Sequence, residues 1–157
     1  MNDKFMNEQD APSAKQAECF VTVNGQRYTA CFAKKFEAKA NVSTKEVPVL
    51  GKLMKGRKVT GMEGKFSMTI YKVTELFDDI LETYKNTGYM PTFDIQVSQH
   101  DKATSIGRST KIYRDCIIDG EMLLSAFDAE GDFIEQTVEG YYNDYDPAEK
   151  YKNPDYM

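Results

Sequence analysis

The side chains best suited to nucleophilic or metal chemistry are Cys19, Cys31 and Cys116, with His100 as the lone histidine. A thiolate activated by imidazole needs the pair within hydrogen-bond reach, and no motif here places His100 beside a cysteine. Tetrahedral zinc takes closely spaced Cys and His pairs, which these scattered residues do not supply. Asp128, Glu130 and Asp132 have the alternate spacing of a calcium loop, with Glu139 where its closing carboxylate would stand. Phe133, however, occupies the position at which such a loop turns sharply on glycine. A β-turn at Glu130-Gly131 accounts for the same residues. Gly51 to Lys58, GKLMKGRK, has the outline of a phosphate-binding loop, yet Arg57 and Lys58 follow its second glycine. No hydroxyl is then available for magnesium, and the segment leads into a strand rather than a helix N-terminus. Nothing here supports a catalytic site, a cofactor or a metal, and a non-enzymatic role is expected.

What remains is charge. A net charge of −5 conceals a polarity along the chain. Between Lys45 and Lys72 seven bases stand against Glu46 and Glu63; from Asp115 onward twelve acids stand against Lys150 and Lys152. Two readings stay open: two solvated faces of opposite sign, or a basic loop on one copy that meets an acidic surface on the next. The acidic pI near 5.0 and the lack of aromatics among the bases argue against specific nucleic-acid binding. At 157 residues the chain suits one domain with a real core. No run approaches the length of a membrane helix. The polar N-terminus lacks the apolar segment of a secretory signal, so three free, buried thiols in a reducing compartment are expected.

The elements that position these groups read as mainly β. Residues 1–17 look like a flexible arm. Phe20 to Val23 alternate into an Asn24-Gly25 hairpin turn, and the chain returns with Tyr28, Ala30 and Phe32 on one face. Residues 35–48 stay extended. Gly51, Gly56, Gly61 and Gly64 then punctuate a stretch that is expected to be irregular, and 40–58 is expected as a long extended loop. Phe66, Met68 and Ile70 form a half-buried strand. A helix follows, with Thr74 as N-cap, Gly88 as its stop, and Leu76, Phe77, Ile80, Leu81 and Tyr84 on one stripe. Further strands are expected at Phe93–Val97, at Ile112–Ile118 with Arg114 and Cys116 on one face, at Met122–Phe127 after an Asp119-Gly120 turn, and at Ile134–Val138. An acidic, tyrosine-rich tail would begin at Gly140. The expected class is an antiparallel β-sandwich or barrel of about seven strands with one α-helix and a long extended loop. The domain would span 18–147, leaving 148–157 as a tail. A small-ligand-binding β-barrel is the alternative such an architecture allows.

One stretch resembles a known family. Gly51-Lys52, Gly56 with Lys58, Thr60-Gly61, Gly64, the strand ending Tyr71-Lys72-Val73-Thr74, and Phe77 are together similar to the XkdM-like phage tail tube family. The departure lies at Lys65-Phe66, where that family is smaller and glycine-rich. The resemblance implies a subunit that assembles with itself into hexameric rings stacked as a hollow tube, inside a sheath in contractile relatives. Tape-measure and baseplate proteins would be further partners. DNA would pass through the lumen without specific binding, and related inner tubes occur in phage-like bacteriocins. Assembly would take place in the host bacterial cytoplasm, and the product would be the tail tube of a virion. On this reading Val47, Val49, Leu50, Leu53 and Met54, set among Lys52, Lys55, Arg57 and Lys58, are expected to make the contact between subunits.

Overall fold

The computed structural model describes residues 6–13, 17–29 and 33–156; Ala30, Cys31 and Phe32 lie outside them. β1 (Ala17–Val23) turns into β2 (Gln26–Thr29) through Asn24 and Gly25 alone, at φ 52° and 79°. That is the tight turn an Asn-Gly pair favours, because both positions need positive φ. The remaining elements are β3 (Ala33–Val47), β4 (Gly56–Tyr71), α1 (Leu76–Thr87), β5 (Phe93–His100), β6 (Arg108–Ile118), β7 (Glu135–Tyr142) and β8 (Asp144–Glu149). Every pairing is antiparallel, in the order β2-β1-β5-β6-β7-β4-β3, with β8 also on β6.

β6 makes the corner. It lies along β5 and β8 for most of its length, and only Ile117 and Ile118 reach β7. At the corner Ile95 faces Tyr113 but Phe93 faces Cys116, so β6 carries one extra residue. Asp115, at φ 52°, absorbs it, and its N–H donates to Asp94 Oδ1 at 3.0 Å. A bulge exchanges the faces of a strand. Tyr113, not Ile112 or Arg114, therefore joins Cys116 and Ile118 in the core, correcting the simple alternation.

The β3/β4 layer folds over β5 and β6. Phe66 meets Phe93 edge-on at 5.8 Å, and Phe36 meets Tyr113 at 5.7 Å. Val21, Met68, Ile70, Ile95 and Val138 fill the space between, and α1 closes one end through Phe77 and Ile80. The helix stops at Gly88, at φ 76°, whose N–H reaches Tyr84 O at 2.8 Å. Its N-cap is Glu75, one position beyond Thr74, whose hydroxyl instead accepts from Leu76 N–H. Tyr84 leaves the buried stripe and is exposed.

Three further expectations are corrected. The glycine-punctuated stretch 40–58 is a two-stranded ribbon, paired residue by residue from Ala40↔Gly64 to Val47↔Gly56, with only 48–55 outside strands. No strand forms at Met122–Phe127. The Leu123 carbonyl there accepts from Lys72 Nζ (3.2 Å) and Gln136 Nε2 (2.9 Å), so it is not free for a ladder. The segment after Gly140 is no loose tail: Tyr142 and Tyr145 pack on Tyr113, at 4.9 and 6.3 Å between ring centres, and draw β8 onto β6. Among the described residues the count is thus eight strands.

Both ends of the described chain meet the loop between β5 and β6. Asp10 accepts from Ser105 N–H and Oγ, both at 2.8 Å, and Ser13 N–H donates to Asp101 Oδ2 at 3.1 Å. Lys152 N–H donates to Ile106 O at 2.8 Å.

Candidate functional site

The residues weighed first for chemistry are dispersed. Burial pushes the Cys116 thiol up to about 12, and its Sγ donates to Tyr113 O at 3.5 Å. Partly buried Cys19 is likewise raised to about 12. Thiols held protonated in this way are poor nucleophiles and poor metal ligands. His100 ends β5, exposed, across from Arg108. Asp128 to Gly131 form a turn in which Asp128 Oδ1 and O accept from Glu130 N–H and Gly131 N–H. The turn thus centres on Ala129-Glu130, one residue before the expected position. Among the described residues no group of three or more His, Cys, Asp and Glu could hold a metal, and no helix is long and apolar enough to cross a membrane. A groove of about 340 Å³ runs between Lys39, Lys65, Asp119 and Glu139. Its lining is charged, unlike the apolar cavity a ligand carrier uses.

The ribbon is different in kind. Residues 39–63 are all exposed, so this half of β3 and β4 stands clear of the body. Opposed residues in an antiparallel pair share a face. On one face the core pairs Phe36↔Met68 and Ala38↔Phe66 continue outward as Ala40↔Gly64, Val42↔Met62, Thr44↔Val59 and Glu46↔Arg57. The body's apolar face thus runs on past the body, uncovered among the described residues: Val42 is 54% and Met62 62% exposed. The bulge between Ser43 and Thr44 keeps Val59 on that side. The other face is basic, with like charges opposed at Lys39↔Lys65 and Lys45↔Lys58. Such pairs are unfavourable in isolation.

Of the expected contact residues, Val47 ends β3, Arg57 and Lys58 begin β4, and Val49, Leu50, Lys52, Leu53, Met54 and Lys55 make the tip. Leu50 and Leu53 are fully exposed. Lys55 pairs with Glu46 at 3.4 Å, and Arg57 Nε donates to Thr44 Oγ1 at 3.0 Å. Lys52 and Lys58 are exposed on the same end of the ribbon. Val42, Val59 and Met62 were missed in the sequence because the glycines suggested a loop. Their signal was the alternation of Val42 and Thr44 opposite Val59 and Met62, visible once two strands are supposed. A two-stranded ribbon is at best marginally stable in water, and exposed apolar faces of this size mark partner surfaces.

Comparison with known proteins bears on the family and the fold. A family model described as "Phage tail tube protein" matches residues 4–149. The chain is 28% identical over 145 residues to the Phage-like element PBSX protein XkdM of Bacillus subtilis (strain 168), covering 92% of this chain and 95% of that one. Its fold is similar to a chain of the anti-feeding prophage tube-terminating cap, with TM-score 0.67 at 10% identity, over 90% of this chain and 93% of the other. It is also similar to a chain of the PVC extracellular contractile injection system sheath–tube complex in the extended state, with TM-score 0.59 at 14% identity, over 85% and 88%. The resemblance carried by Gly51 through Phe77 is borne out.

Proposed function

The chain belongs to the phage tail tube protein family, and from that premise we propose that its copies close into six-membered rings stacked through the β3/β4 ribbon. It is a structural subunit of a phage or phage-like tail tube, and so a component of the particle's tail. Val47, Val49, Leu50, Lys52, Leu53, Met54, Lys55, Arg57 and Lys58 contact the neighbouring ring. The subunit works by assembly, without catalysis.

The observation that carries this reading is the bare ribbon: residues 39–47 pair with 56–65 while exposing an apolar face continuous with the core. Covering that face on an identical neighbour stabilises both. Repeating the contact by rotation and translation gives rings and an open-ended stack. The outer edges of β2, β3 and β8, unpaired among the described residues, are the sheet edges that ring closure would cover. The sheath–tube assembly named for the injection-system neighbour supports a sheath around this tube; tape-measure and baseplate proteins would be its further partners. The net charge of −5 suits a lumen that passes DNA without binding it. Subunits would assemble in the host bacterial cytoplasm.

Electron microscopy of the purified protein at high concentration tests the reading. Rings and tubes are expected. Deleting Leu50–Arg57 should stop stacking while leaving the far-UV spectrum largely intact. Persistent monomers of the intact chain under all conditions, or normal tubes from the deletion variant, would overturn it.

A further inference from the structure

The ribbon needs a surface to receive it, and the opposite pole of the molecule carries one with matching properties. β4 runs from Gly56, at the ribbon tip, to Tyr71. At ~3.3 Å per residue its 16 residues set those ends about 50 Å apart. Past Tyr71 the side chains that leave the body are Tyr71 itself and Val73, while Lys72 turns inward to Asp78. The long segment between β6 and β7 comes to the same place. Phe133 meets Tyr71 edge-on at 6.1 Å, and Lys72 N–H donates to Ile134 O at 2.9 Å.

That segment is apolar and acidic together. Phe127 is 96% and Phe133 81% exposed, and Leu124 is exposed in the same segment. From Asp119 to Glu135 there are six acids and no base. Asp128 shapes the turn, whereas Glu130 and Asp132 are exposed. Phenylalanines left largely in water are costly, and among the described residues these two rings stay exposed. The ribbon tip presents the complement: Leu50, Leu53 and Met54 among Lys52, Lys55, Arg57 and Lys58.

We propose that the ribbon tip of one copy docks on the Phe127–Phe133 segment of a second copy, with Leu50 and Leu53 against the exposed phenylalanines and Lys52 and Lys58 against Glu130 and Asp132. A subunit cannot make this contact with itself, because the two surfaces lie at opposite ends of one strand. The pairing is therefore head-to-tail, and its repetition has no natural end. The proposal rests on the stacking reading above and names the surface that reading leaves unassigned. It also gives the opposite charges of the two segments a common purpose, since complementary potentials fix the partner and its orientation.

Two charge-reversed chains test it. One carries Lys52→Glu and Lys58→Glu on the ribbon; the other carries Glu130→Lys and Asp132→Lys on the receiving segment. All four side chains are exposed, and none takes part in the hydrogen bonds that shape the ribbon or the turn. Circular dichroism and thermal melting of each chain check that the body is intact. Alone, each chain should raise the concentration needed for tube growth by about tenfold or more, because like charges then meet at the contact. Placing all four changes in one chain should restore growth toward that of the unaltered protein. A Phe127→Ser, Phe133→Ser chain should also fail to stack, yet still accept growth on its intact ribbon end when mixed with the unaltered protein. Tubes from the Glu130→Lys, Asp132→Lys chain at the ordinary concentration, or no rescue by the combined changes, would overturn the docking site while leaving the tube function standing. Failure of the unaltered chain to stack at all would overturn both.

Discussion

Lys72 and Asp78 are the residues on which the body's far pole turns. Their ion pair measures 2.7 Å, with side-chain exposures of 11% and 16%. Gln136 Nε2 adds a 2.7 Å bond to the other carboxylate oxygen, and both donors reach the Leu123 carbonyl. The network ties the end of β4, the start of α1, β7 and the long segment before it. Removing one member leaves a buried charge without its partner, so Lys72→Met should cost about 3 kcal/mol in urea unfolding. Replacing both with Lys72→Met and Asp78→Leu should recover part of that loss; a single-change cost near zero would show that water replaces the lysine freely. At Gly140 a methyl group would strike the Ile117 carbonyl, which is backbone and cannot swing aside. Gly140→Ala should cost about 2 kcal/mol or more, by overpacking. The phenols of Tyr113 and Tyr142 are raised, chiefly by burial and then by neighbouring phenols. Their protonated forms are favoured in the folded state. That stabilisation is complete below the ordinary tyrosine value of about 10 and is lost as pH climbs above it. Part of the phenolate absorbance should therefore rise late, together with loss of the far-UV signal. One early transition with the fold intact would mean the cluster is wet.

At the scale of elements the ribbon is the least self-sufficient part. Thr60 Oγ1 to Ser43 O and Arg57 to Thr44 stiffen it, but among the described residues no core layer covers it. Free subunits should be cut by trypsin first at Lys52, Lys55, Arg57 and Lys58, and assembled tubes should resist. Equal cutting in both states would leave the ribbon outside the contact. Val42→Thr with Met62→Thr should change subunit stability by no more than about 0.5 kcal/mol, as exposed substitutions do, while blocking assembly. The glycines that suggested a loop have separate reasons to lie in a strand. Gly64 leaves room for the Tyr142 ring, whose hydroxyl donates to Lys39 O at 2.9 Å, while Gly56 and Gly61 face open space.

For the whole molecule, poles of opposite sign make association a salt-dependent event. Raising ionic strength shortens the Debye length to about 3 Å near 1 M, and the concentration needed for tubes should rise with it. A salt-independent threshold would assign stacking to apolar burial alone. The antiparallel, mainly β class, the Asn24-Gly25 turn, the Gly88 helix stop and the core stripe at Phe66, Met68 and Ile70 were legible in the sequence. They were legible because each rests on neighbours a few residues apart. The apolar and charged residues of the tip were legible as well, by type if not by geometry.

What the sequence by itself determined was therefore local: the alternation at Phe66, Met68 and Ile70, the Asn24-Gly25 turn, the Gly88 helix stop and the opposed charges of two segments. Only the tertiary structure decided that 40–58 pairs as a ribbon, that Asp115 exchanges the faces of β6, and that Leu123 serves side chains instead of a strand. It alone placed the ribbon tip and the Phe127–Phe133 segment at opposite ends of β4. The physical reason is common to all four: each depends on which distant backbone or side chain supplies the partner, and spacing along a chain does not encode that choice.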